Sequence, residues 1–546
     1  MNQHAKLLDC TLRDGAYLLD KKFGENNIRG IIAGLVKARV DIIEVGFFQN
    51  EGFGEGRTVY KNSADVKKYI PNDKHGTMFT VLADYSRYSI ENLDEHDDCS
   101  IDGIRECFFK QERYKALDNC RRIKELGYKC FVQPVDILGY SDMELIDFIE
   151  KVNDIEPYCL SIVDTFGSMY QDDLRRVFEI IDHNLISTCR IGFHSHNNMQ
   201  MSNALSQDFL TMSLGRRDVV VDGTISGMGR GAGNTPTELI AQYMITKMGY
   251  NYDLDAILDI IDDYMDNIRT RCSWGYSTPF FVAGCYGAHV NNIAYLAQKN
   301  SIRYKDIRYI LNKIGPIKRK RYDYDLLEKT YVDYLNADVD DSESLKELGV
   351  AVSGRNVLIL LPGNSATSEY QRIRKYISDN NPVIISVNYI HKNVKPDYVY
   401  ISNIRRYTYW QDIPEYVKAK KLLTSNIKAE ADNSDELIFS FNKLIKCGWE
   451  HLDNSGLMVL RLLDNFDLKS IAIAGFDGYD SLSLNRRNYA SEDIELANAA
   501  ENPSSVNEEI ESMLKDYKEN RSKDFPIKFI TDSRFEDIFK SSEVSF

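Results

Sequence analysis

Two short stretches hold the residue types that can do chemistry together. "TLRDG" sets Arg13 beside Asp14 where an apolar run ends, and "HSHNN" sets His194 and His196 two residues apart. Side chains two apart on a strand share a face, so the two imidazoles can point the same way. Two imidazoles and one carboxylate, with room for water or substrate, make an open divalent-metal site for which Zn, Mn, Co and Mg compete. A lone His-x-His is more often a pair of ordinary polar residues. Asp14 turns that balance, provided that the fold brings it to the same place. "DTFG" adds Asp164 and Thr165, and "EVGF" adds Glu44. Thr165 can hydrogen-bond a bound carboxylate, whereas Asp164 and Glu44 suit a ligand-orienting or structural role equally well.

The elements that must position these residues repeat one rhythm over the first 250 residues. Short runs rich in Val, Ile and Phe start at Lys6, Asp41, Thr77, Gly103, Lys129, Tyr158, Cys189 and Val219, with helical patterns such as "NNIRGIIAGLVKARV" between them. Eight strands alternating with helices predict an α/β fold, a closed parallel (β/α)8 barrel, with an open doubly wound sheet as the alternative. In such a barrel the strand C-termini form the active site, and Asp14, Glu44, Asp164 and the two histidines all lie at strand ends. After the eighth run, "DGTISGMGRGAGNTPTEL" offers glycines that let a ligand approach the backbone, then Thr235, Pro236 and Glu238 to start a helix as a capping box. Its place after an eighth strand speaks against a dinucleotide fingerprint.

Composition narrows the partners. The chain has 546 residues, 43% hydrophobic and 27% charged, with a net charge of −15, which disfavours nucleic acid and anionic membranes. No apolar run spans a bilayer and "MNQHAKLLDC" lacks a signal h-region. Ten scattered cysteines without a CxxC pair fit reduced thiols, so a cytoplasmic location is expected. Beyond the barrel (1–250), helical spacing predicts an extension over 251–335, in which "KRKRY" (318–322) reads as a solvated charge run. The acidic stretch 336–351 reads as a linker with room for one short helix, and "NVLILLPGNSA" opens a second α/β domain over 352–546.

Together, TLRDG after the first strand, DTFG after the sixth, HSHNN after the seventh and GMGRGAGN after the eighth resemble the metal-dependent barrel enzymes. These include 4-hydroxy-2-oxovalerate aldolase, hydroxymethylglutaryl-CoA lyase, and the isopropylmalate and homocitrate synthases. The likeness spans roughly residues 6 to 312, because "WGYSTPFFVAG" looks like the post-barrel helices of the aldolases. It implies that Asp14, His194 and His196 bind a divalent metal, Mn first, with Mg, Co or Zn as alternatives. It also implies that Arg13 faces the carboxylate and developing enolate oxygen of a pyruvate unit, with Thr165, Glu44 and Asn234 as further substrate-binding candidates. Oxoacid and aldehyde are the implied substrates, and a homo-oligomer is expected. Tyr17 departs from the pattern: the aldolases place a histidine base there and the acyl-CoA synthases read RDGEQ, whereas this chain reads RDGAY. A tyrosine with an ordinary pKa near ~10 needs a stabilised anion to serve as that base. Tyr276, which matches an active-site tyrosine of the aldolases, is the first substitute.

The expected activity is thus carbon–carbon lyase chemistry through a pyruvate enolate. An acyl-CoA-dependent Claisen synthase and a non-catalytic barrel serving as scaffold are the alternatives. The C-terminal half resembles, more faintly, the Rossmann-like nucleotide-binding domains of bacterial sialyltransferases and pterin pyrophosphokinase-like proteins. That likeness implies a nucleotide pocket lined by Gly363, Asn364, Ser365, Asn388 and Asp477.

Overall fold

The computed structural model describes residues 4–299, 302–335, 339–411, 413–428, 430–431, 434–446, 448–449, 454–480, 488–490 and 502–540. The chain divides into two compact units, Met1–Ile293 with Gly315–Tyr322, and Ala294–Ile314 with Asp323–Phe546.

The first unit is the barrel. Its strands are β1 (Ala5–Asp9), β2 (Ile42–Phe48), β3 (Val59–Tyr60), β4 (Met78–Asp84), β5 (Gly103–Phe109), β6 (Lys129–Val135), β7 (Cys159–Asp164), β8 (Arg190–Ser195) and β9 (Val219–Gly223). The sheet runs β1-β9-β8-β7-β6-β5-β4-β2-β3, and pairing of β1 with β2 closes the ring, so eight parallel strands make the barrel. All eight apolar runs became strands. The two-residue β3, which only lengthens the edge of β2, was too short to show as a run. The register between β2 and β4 shifts between Glu44 and Phe47, a bulge of the kind that re-aims side chains near functional sites.

Local sequence explains the helical layer. In the helix Glu25–Lys37, Ile28, Ile31, Ile32 and Leu35 recur at i, i+3, i+4 and i+7 and are all buried against the strands. Each such side chain contributes about 1.5–3 kcal/mol of transfer free energy. The helix Asp142–Asn153 opens on a reciprocal cap: the Ser141 hydroxyl accepts the Glu144 N–H, and the Glu144 carboxylate accepts the Ser141 N–H at 2.9 Å.

Glu106, on β5, is buried beside Asn119, and burial pushes its carboxyl up to about 8 from an ordinary 4.5. The folded chain therefore holds a proton that the unfolded chain releases, and stability declines as pH rises from 4.5 to about 8. Glu106→Gln is expected to flatten that decline, raising Tm at pH 8 more than at pH 5. A parallel shift at both pH values in a melting series would refute the assignment.

The second unit carries a seven-stranded sheet: β10 (Asn356–Leu360), β11 (Val383–Val387), β12 (Tyr398–Ile401), β13 (Lys420–Thr424), β14 (Glu436–Phe439), β15 (Ser470–Ala474) and β16 (Ile527–Phe529). Every pairing is parallel, in the order β14-β13-β12-β11-β10-β15-β16, so the winding reverses between β10 and β15. The stretch 336–351, read as a linker with room for one short helix, carries one. Ser342–Val352 is a helix with Leu348 and Val352 buried, and Asp341 before it accepts hydrogen bonds from the Ser440 N–H (3.0 Å) and Lys443 Nζ (2.6 Å). Residues 336–338 and Cys447 lie outside the described residues. No helix among the described residues is long and apolar enough to cross a membrane.

Candidate active site at the barrel mouth

The strand ends converge as the motifs require. Asp14 ends the one-turn helix Thr11–Asp14 that follows β1, while His194 and His196 stand at the end of β8. Asp14 Oδ2 lies 3.4 Å from His194 Nε2 and 3.6 Å from His196 Nε2. These three atoms form a cluster of metal-ligand geometry. Both oxygens of Asp14 and Nε2 of His194 are buried without a hydrogen-bond partner, which is costly unless a cation completes them. The donor set fits a divalent ion.

The outer nitrogens are already committed. His194 Nδ1–H donates to Asp222 Oδ2 at 3.0 Å and His196 Nδ1–H donates to the Asp164 carbonyl at 2.9 Å, which turns both Nε2 lone pairs inward. Burial would push the Asp14 carboxyl up, but Arg13, His194 and His196 together hold it well below the usual carboxylate range. Burial likewise holds His196 near 4, so its imidazole is neutral at neutral pH, the form that ligates metal.

Behind these groups lies a buried chain of charges that sequence reading missed in part. Arg13 Nε donates to Glu44 Oε2 at 2.6 Å and Arg13 Nη1 lies 3.2 Å from Asp14. Glu44 also pairs with Arg105 at 3.1 Å, and Arg105 donates to Asp222. Arg105 and Asp222 were passed over as members of apolar strands; a single charge inside "GIRECFF" or "VVVDG" was the available signal. Glu44, a substrate-binding candidate that equally suits an orienting or structural role, is fully buried, with Oε2 bridging Arg13 and Arg105.

The other expected residues divide. Asp164 accepts the Ser168 N–H at 2.9 Å, and burial raises its carboxyl to about 7. It therefore shapes the DTFG turn while its carbonyl orients His196. Thr165 Oγ1 accepts the Asp136 N–H at 2.8 Å, which fixes it at the mouth with its own proton free to donate. Asn234, buried, donates to the Met228 carbonyl at 3.2 Å and bridges to His196, inside a loop where Gly233 (φ 81°) has no room for a Cβ against the Gly227 carbonyl.

Tyr17 is half-buried, its ring 5.2 Å from Phe47 and 3.9 Å from the Arg230 guanidinium. Burial raises its hydroxyl pKa, and Arg230 and Arg13 only partly offset that. That shift runs opposite to the stabilised anion a tyrosine base would need. Tyr276, the expected substitute base, is 63% exposed, so it is not packed into the core.

In the second unit, Gly363, Asn364, Ser365 and Asp477 meet at the carboxyl edge where β10 and β15 adjoin. A Cβ on Gly363 would press on the Gly475 carbonyl and on Asp477. The Ser365 N–H and Oγ–H donate to Asp477 at 2.7 and 2.5 Å, and the Asn364 N–H donates to the Asn488 carbonyl at 3.3 Å. The groups expected to cradle a phosphate are therefore satisfied within the chain, and a phosphate would have to displace a carboxylate there. Asn388, just beyond the end of β11, donates to Ser455 Oγ at 2.7 Å.

Comparison with known proteins points the same way for the barrel. Residues 4–263 match the HMGL-like family model. The chain is 29% identical over 260 residues to the 4-hydroxy-2-oxovalerate aldolase of Thermomicrobium roseum, covering 46% of this chain and 69% of that protein. It is 25% identical over 343 residues to the same-named enzyme of Pseudomonas putida, covering 58% and 93%. It is 26% identical over 260 residues to an oxaloacetate decarboxylase of Mycobacterium tuberculosis, covering 46% and 74%.

Proposed function

We propose that the barrel is a divalent-metal-dependent carbon–carbon lyase that makes or breaks a bond through a pyruvate enolate, acting on a 4-hydroxy-2-oxoacid or running as the condensation. The observation that carries this reading is the buried, unpartnered face of Asp14 and His194, with His196 beside them and Arg13 alongside. A divalent ion held there by Asp14, His194 and His196 would supply Lewis-acid stabilisation of developing negative charge. Arg13, locked by Glu44, keeps a further Nη to donate to the oxyacid, and its planar fork suits a carboxylate next to an enolate oxygen. Thr165, placed by Asp136, offers its hydroxyl to the same substrate. The named relatives support the reading, since aldol cleavage of a 4-hydroxy-2-oxoacid and decarboxylation of oxaloacetate both leave pyruvate as its enolate. The absence of Glu-Gln after Arg-Asp-Gly weighs against an acyl-CoA-dependent condensation.

The test is exchange of the pyruvate methyl protons with deuterated water in the presence of Mn or Mg. Wild-type protein is expected to catalyse it, and Arg13→Ala to lose about 100-fold, as loss of a charged donor to an oxyanion does elsewhere. A metal-loaded wild type that exchanges nothing would defeat the enolate reading and leave the barrel as a binding module.

A further inference from the structure

The basic stretch 318–322 belongs to the barrel unit and lies over its mouth. Two anchors hold it there. The His289 N–H donates to the Arg319 carbonyl at 2.9 Å, and Asn292 Nδ2, itself buried, donates to the carbonyls of Arg319 (2.8 Å) and Arg321 (3.0 Å). Lys320 reaches Asp136, just beyond the end of β6, at 2.5 Å, and the Arg321 guanidinium lies 4.8 Å from the ring of Phe109, the last residue of β5. On the far side, Arg230 of the GMGRGAGN loop stacks on Tyr17 at 3.9 Å and donates to His289 Nε2 at 3.2 Å. A continuous path therefore runs from Tyr17, three residues beyond Asp14, through Arg230 and His289 to the basic segment.

The charges on that path are unequal. Lys320 is neutralised by Asp136. Among the described residues Arg230, Arg319 and Arg321 have no carboxylate partner, and Nε of Arg319 is buried with no hydrogen-bond partner at all. In a chain of net charge −15, guanidinium groups without acid partners beside Tyr17 (Arg230) and beside the end of β5 (Arg321), joined by the path through His289, mark a local field that favours anions. Guanidinium forks match phosphate and carboxylate oxygens in pairs.

We infer that the mouth carries a subsite for an anionic group, a phosphate or a carboxylate, on the aldehyde partner, with Arg230 and Arg321 as its principal donors. The inference rests on the enolate reading for the word aldehyde, though not for the anion. Such a subsite would orient the acceptor carbonyl toward the enolate carbon, and it explains why Tyr17 is covered by a cation: the ring serves as a platform for Arg230.

The experiment is calorimetric titration of the full-length, Mn-loaded protein in saturating pyruvate with glycerol 3-phosphate, butyrate and glycerol. Glycerol 3-phosphate or butyrate is expected to bind about tenfold or more tighter than glycerol. The stronger of the two identifies the acceptor as phosphorylated or carboxylated. Arg230→Gln and, independently, the exposed Arg321→Gln should each shrink that preference. Equal binding of glycerol, or a preference that survives both substitutions, would overturn the subsite. The enolate reading is decided separately by wild-type proton exchange, so the two failures are distinguishable.

Discussion

The double variant Asp14→Asn, His196→Ala is expected to purify with its divalent ion lost, below about a tenth of the roughly one ion per chain of the wild type. Apart from the ion pair of Asp14 with Arg13, the atoms removed face one another, with His196 Nε2 3.6 Å from Asp14 Oδ2. Removing them takes away two of three ligands and leaves His194 alone, still clamped by Asp222. Proton exchange on pyruvate should fall with the metal. Elemental analysis showing unchanged metal in this variant would place the ion elsewhere, and the enolate reading would lose its anchor.

How far these features could be read from sequence depended on how local the physics was. Strand existence was legible because each barrel strand is buried as a unit; β2 is buried at every position from Ile42 to Phe48 and reads as one apolar run. The candidate cluster of Asp14, His194 and His196 was legible because these residues sit at or just beyond strand ends, the place where barrel folds assemble chemistry. The residues that orient them were not. Arg105 and Asp222 are separated by 117 positions, and nothing in either neighbourhood announces that β5 and β9 face each other across the barrel interior. The basic segment reads as solvated surface and its Lys318, Arg321 and Tyr322 are exposed, but its anchoring was not legible, because the hydrogen bonds from His289 and Asn292 to its carbonyls come from a separate stretch of chain. Tyr17 was read as needing a stabilised anion, and the cation that lies over its ring, Arg230, is more than two hundred residues away in the chain and could not be paired with it from local sequence. At the turn of the second unit the juxtaposition of Gly363 and Ser365 with Asp477 was legible from their places after parallel strands, whereas the hydrogen bonds from Ser365 to Asp477 were not.

The buried charge chain leads to the second large effect. Arg105 is 1% exposed and lies between Glu44 at 0% and Asp222 at 3%, so its guanidinium is the shared counter-charge of two carboxylates with no access to water. Arg105→Met keeps the bulk of the side chain and removes that charge. Breaking a buried ion pair from one side costs about 3–5 kcal/mol, since the stranded partner stays buried. For a unit of this size that should lower Tm by roughly 10 °C. The loss should also reach the metal. Asp222 sets the His194 tautomer by accepting its Nδ1–H at 3.0 Å, and an Asp222 without its guanidinium holds the ring less firmly. Asp222→Asn separates the two consequences. The amide oxygen can still accept the His194 proton while the negative charge is gone, so metal affinity should fall about 10- to 100-fold through a less basic imidazole, the usual cost of weakening a partner of a ligating histidine. Melting of the full chain and metal titration by calorimetry read the two effects apart. An Arg105→Met protein that melts with the wild type would mean that the carboxylates find other partners, and Asp222→Asn with full metal affinity would remove Asp222 from the account of how the site is oriented.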